Sequence, residues 1–73
     1  MPLPILKSRQ VVAALKRAGF SEHHQTGSHL CLLNEDTGRR VTVPIHVGDV
    51  PKGTLRAILQ QAGLTEEDFR NYL

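Results

Sequence analysis

Apolar residues recur along this chain at two periods, and the places where the period changes mark its elements. Val11, Leu15 and Ala18 stand at i, i+4 and i+7, with Val12 beside them. That is an apolar stripe of helical period, and Arg9, Lys16 and Arg17 lie off it. Ser8 is placed to cap a helix beginning at Arg9, and Gly19 to end it just past the last turn. Phe20 to Gln25 reads as a strand, interrupted by Gly27 and Ser28, and Leu30 to Asn34 reads as a second. Asn34-Glu35-Asp36-Thr37-Gly38 has turn composition, with Gly38 available for positive φ. Val41-Thr42-Val43-Pro44-Ile45 alternates at strand period. Pro44 lacks a backbone donor and so belongs at an edge or near the strand end. His46 to Pro51 is a loop in which Asp49 is placed to cap the next helix. Leu55, Ile58, Leu59 and Ala62 then recur at i, i+3, i+4 and i+7, and Gly63 ends that helix. Thr65-Glu66-Glu67-Asp68 resembles a capping box with Asp in place of Glu. It should open a short last helix that turns Phe69, Tyr72 and Leu73 inward.

The predicted order is α-β-β-β-α plus a short terminal helix. Three antiparallel strands with helices on one face make an α+β two-layer sandwich. If Val41, Val43 and Ile45 face the helices, Thr42, Pro44 and His46 face away. If Leu30 and Leu32 also face inward, His29, Cys31 and Leu33 point outward, and His29 and His46 share the open face. Leu30-Cys31-Leu32-Leu33 does not alternate cleanly, so the opposite phase stays open.

The 73 residues make a single domain, 1–73, with no repeat, low-complexity tract or linker. A chain this short buries only about 60% of the surface its unfolded form exposes. Its core is thin, and an extended or polymeric ligand across the surface fits better than a small molecule enclosed on all sides. One cysteine, Cys31, excludes an intrachain disulfide and points to a reducing compartment, the cytoplasm. Cys31 itself reads as a small buried hydrophobe. The segment Met1–Lys7 is too short and proline-rich for a secretory leader. No apolar stretch approaches the ~20 residues that cross a bilayer, so no membrane is expected.

Net charge is +2, but three of the seven acids cluster at Glu66, Glu67 and Asp68. Setting aside those three and Arg70 leaves eight basic against four acidic residues over 1–63, a net of +4. Such a body suits a polyanionic partner, as it suits an ordinary solvated surface.

Histidine changes charge near neutral pH. His29 follows Gly27 and Ser28, which bend and open the backbone beside it. His46 follows the last strand. A histidine on a basic face could take the proton from an RNA 2′-hydroxyl while cations hold the phosphate, with no metal required. Lys52, Gly53, Thr54 and Arg56 occupy the first turns of the second long helix, where free N–H groups favour an anion. Arg39 and Arg40 could extend that patch. On spacing alone, Gly53 reads first as a close approach of helix to loop, Thr54 as a local cap, and His29 and His46 as hydrogen-bonded, half-exposed side chains. No HxxxH, HxH or CxxC spacing occurs, so no metal site is expected. Adjacent His23 and His24 should point to opposite faces of a strand, as exposed polar positions.

Gly27-Ser28-His29, Val43-Pro44-Ile45-His46 and the run from Lys52 to Leu64 together resemble the HicA family, also called YcfA-like. The helix ending in Ala18-Gly19-Phe20 fits the same pattern, and the resemblance covers roughly Lys7 to Leu73. It implies a double-stranded-RNA-binding-domain-like fold. It also implies a toxin of a type II toxin–antitoxin pair, an mRNA interferase that blocks translation by cutting RNA without a metal cofactor. His29 matches the family's catalytic histidine; His46 is a candidate second acid–base or phosphate-binding group on the reading of the residues themselves. The partners implied are mRNA and a HicB-type antitoxin covering the site. By analogy with non-catalytic members of the fold, Lys52 and Arg56 contact the RNA backbone. The alternative is a non-catalytic double-stranded-RNA-binding module or an inactive family member.

Overall fold

The computed structural model describes residues 3–73; Met1 and Pro2, at the head of the predicted domain, lie outside the described residues. The elements are α1 (Ser8–Arg17), β1 (Ser21–Thr26), β2 (His29–Asn34), β3 (Arg39–Pro44), α2 (Lys52–Ala62) and α3 (Glu66–Arg70). The strands form one antiparallel sheet in the order β1-β2-β3. This is the expected α-β-β-β-α sandwich with a short third helix, and a double-stranded-RNA-binding-domain-like arrangement is consistent with it.

The apolar stripes meet as their periods require. Val11, Val12, Ala14 and Leu15 of α1 and Leu55, Ile58, Leu59 and Ala62 of α2 are buried with Leu30, Leu32, Val41 and Val43 of the sheet. Cys31 and Leu33 are half-buried and Thr42 is exposed on the other face. The strand phase is therefore the one with Leu30 and Leu32 inward, and Cys31 sits on the open face rather than in the core. Phe69 of α3, with no exposed surface, closes the core from the C-terminal side. Tyr72 packs against that core, whereas Leu73 remains 46% exposed instead of turning inward.

Two caps differ from expectation. Lys7, not Ser8, is the N-cap of α1, and its N–H donates to the Gln10 Oε1 at 2.8 Å. Ser8 is the first helical residue and is buried, because its hydroxyl donates across the fold to the Pro44 carbonyl at 2.9 Å. Pro51, not Asp49, holds the N-cap position of α2. Asp49 is engaged elsewhere, in an ion pair with Lys7 at 2.6 Å. Thr65 does cap α3: its hydroxyl accepts from the Asp68 N–H at 3.0 Å, and the Asp68 carboxylate accepts from the Thr65 N–H at 3.3 Å.

These contacts orient the molecule. At one end of the sheet, His29 pairs with Pro44, Ser8 holds Pro44, and Val50 donates to the Leu6 carbonyl. The N-termini of α1 and α2 therefore both lie at the His29 end. At the other end, Gly19 lies against the Asn34 side chain and the Arg39 side chain reaches the Gln61 carbonyl, so both helices finish there.

Candidate functional site

Thr26 pairs with His29, so Gly27 and Ser28 are a two-residue hairpin loop. Gly27 has φ +59°, and no non-glycine residue among those described has positive φ. That is the pattern of a type II′ turn, with glycine in the first central place, matching the twist of the flanking strands. The Ser28 carbonyl accepts from the Ile45 N–H, which carries β2–β3 pairing one residue past His29 and Pro44. His29 is thus fixed at its backbone on both sides while its side chain stays exposed. Strand alternation assigns it to the open face with Cys31 and Leu33.

His46 does not join it there. Strand β3 ends at Pro44, and His46 falls in the following loop, where its Nδ1 lies 3.2 Å from the Val47 carbonyl oxygen. It lines a cleft of about 520 Å³ with Lys7, Ser8, Arg9, Ile45, Val47 and Gly48. The two histidines share one end of the molecule, one on the open sheet face and one beside the start of α1.

Electrostatically this end is mainly cationic. The first turns of α1 and α2 contain no acidic residue, and Asp49, the acid beside them, is paired with Lys7. Lys52 and Arg9 have no ion-pair or hydrogen-bond partner among the described residues, and both are exposed. Arg56 is loosely tied to Glu66 at 3.8 Å. Thr54 is half-buried. Gly53 has open space where a side chain would stand, so helix and loop do not approach closely there.

Arg39 and Arg40 are placed otherwise. They stand at the start of β3, Arg39 five and Arg40 four strand positions from Pro44, roughly 17 and 13 Å at about 3.3 Å per residue. The Arg39 guanidinium covers Gly63 and donates to the Gln61 carbonyl at 3.4 Å, an arrangement that complements the C-terminus of α2. Arg40 is exposed beside it. The expected basic patch is therefore divided between opposite ends of the sheet.

Nor do His23 and His24 face opposite ways. Glu22 pairs with Leu32 and His24 with Cys31, leaving His23 as the extra residue of a β-bulge. The bulge breaks the alternation and brings the two Nδ1 atoms to 2.9 Å. Among the described residues, no three His, Cys, Asp or Glu side chains converge as a metal site would need.

Arg9 is the residue that periodicity did not single out. It lies in the first turn of α1 and lines both the His46 cleft and a neighbouring one against β1 and β2. Its signal in the chain is the lack of any acid three or four residues away that could neutralise it along the helix.

Fold and site thus define a small α+β domain with one cationic, histidine-bearing end. Residues 8–64 match the family described as the HicA toxin of bacterial toxin–antitoxin systems, and the chain belongs to that family. It is accordingly a toxin-family protein for which an antitoxin partner is implied. No curated protein matches it.

Proposed function

We propose that this chain is an mRNA interferase, a metal-independent endoribonuclease with His29 as its catalytic base. The observation that carries the reading is the position of His29. It is an exposed imidazole on a hairpin paired on both sides, at the end where two helix N-termini and the unpartnered Arg9 and Lys52 favour phosphate. His29 takes the proton of a ribose 2′-hydroxyl. The 2′-oxygen then forms a bond to the adjacent phosphorus, and the bond from phosphorus to the 5′-oxygen breaks. The leaving 5′-oxygen takes a proton from His46 or from water. The products are a 2′,3′-cyclic phosphate and a 5′-hydroxyl. Arg9, Lys52 and Arg56, with the N–H groups around Gly53 and Thr54, hold the backbone and stabilise the developing charge. Gly27 and Ser28 hold the turn against the strand that leads to His46.

The antitoxin is of HicB type and neutralises the toxin by covering this end, where Val47 is fully exposed beside His46. No helix among the described residues is long and apolar enough to cross a membrane. With RNA as substrate and one unpaired cysteine, the cytoplasm is the proposed location.

The test is chemical. An RNA that the chain cuts should resist it when every 2′-hydroxyl is methylated, and the cut ends should be cyclic phosphates. Equal cleavage of the methylated RNA would remove the 2′-hydroxyl mechanism. A chain that binds duplex RNA and cuts none would be the non-catalytic module instead.

A further inference from the structure

Beside the His29 hairpin, on the helix side of the sheet, lies a cleft of about 300 Å³. Its apolar floor is Val12 and Ala13 of α1, Leu30 of β2 and Ile45. Gln25 and Arg9 stand at its rim, and the Lys16–Glu22 ion pair closes one side. The volume is at the bottom of the range for small-ligand sites, about 300–1,000 Å³, and suits one nucleoside rather than a stack.

We propose that this cleft receives a single unstacked RNA base next to the cut, making it a base-binding subsite of the interferase; the inference rests on that proposed activity. Three features select this occupant. Arg9 has no protein partner among the described residues and is shared with the His46 cleft, so a phosphate on Arg9 joins the two along one strand. The Gln25 side chain is already oriented: its Nε2 donates to the Gly27 carbonyl at 3.0 Å. Its Oε1 is therefore left to accept from a ligand, and the second Nε2 hydrogen is left to donate. Finally, single-stranded RNA is read through unstacked bases, and an apolar floor with one fixed polar group is suited to that. Each base offers this amide a partner, the exocyclic amine of adenine, cytosine or guanine or the N3–H and carbonyls of uracil, so Gln25 anchors a base without choosing among the four. The Gln25–Gly27 bond also ties base binding to the hairpin that carries His29.

The experiment is an NMR titration of the full chain with AMP, CMP, GMP, UMP and inorganic phosphate, following the methyl groups of Val12, Leu30 and Ile45. All four nucleotides should shift these methyls saturably. Inorganic phosphate should leave the methyls in place. Gln25→Ala, at an exposed position, should weaken nucleotide binding about 2- to 10-fold, the worth of one hydrogen bond, and Ala13→Met should block the shifts by filling the cleft. Methyls that move for no nucleotide, move as readily in Ala13→Met, or move with phosphate alone would overturn the proposal. A chain that binds nucleotides here but cuts no RNA would keep the cleft and refute the nuclease. A chain that cuts RNA with unmoved methyls would do the reverse.

Discussion

Removing one cation at a time distinguishes the two ends of the sheet. Arg9, Lys52 and Arg56 lie at the His29 end, and Arg39 caps α2 at the other. Each phosphate contact on a single strand contributes about 0.7 to the slope of log affinity against log salt. Three contacts give a slope near −2. Between 50 and 200 mM salt, affinity should therefore fall by about 20-fold. Lys52→Ala leaves two contacts, a slope near −1.4 and a fall of about 7-fold over the same range. Arg39→Gln should leave the 20-fold dependence unchanged. It removes a cation from a helix C-terminus instead, worth about 0.3–1 kcal/mol, and should lower Tm by a few degrees. The assay is fluorescence anisotropy with a labelled 2′-O-methyl oligoribonucleotide, which lacks the attacking hydroxyl and survives the measurement. A salt slope that falls for Arg39→Gln as much as for Lys52→Ala would refute the division of charge between the two ends.

Two smaller perturbations test what holds the site in place. Ser8→Ala removes the buried hydroxyl that joins α1 to Pro44. It should destabilise by about 1–2 kcal/mol, less a few tenths regained from alanine's helix propensity, and an unchanged urea midpoint would contradict it. Thr65→Ala removes the α3 cap and should cost about 1 kcal/mol. Faster amide exchange at Phe69 and Arg70 is the expected sign, and unaltered exchange there would count against the cap.

What the chain revealed in advance was whatever repeats. The stripes through Val11 and Leu15 and through Leu55 and Ile58, and the alternation through Val41 and Val43, are local patterns whose burial follows from period alone. The caps were harder, because their partners are distant. The Ser8 hydroxyl meets a carbonyl 36 positions away, and Asp49 is drawn off by Lys7. The bulge at His23 was hidden because an extra residue in one strand is defined only by its partner's register. The site divides in the same way. The exposed hairpin histidine could be read from Gly27-Ser28-His29. The remoteness of Arg39 from His29, the separation of His46 onto the helix side, and the part of Arg9 depend on which ends of the elements meet. That is tertiary information.

The most direct measurement is induced expression of the native chain and of His29→Ala in a bacterial host, following growth, mRNA integrity and soluble protein together. His29 is exposed, so its replacement should change stability by no more than about 0.5 kcal/mol. Loss of a positioned base should slow cleavage by about 10²–10⁴-fold. Arrest and mRNA loss are expected with the native chain, and continued growth with intact mRNA for an equally soluble His29→Ala. Arrest and mRNA loss undiminished in His29→Ala would contradict it.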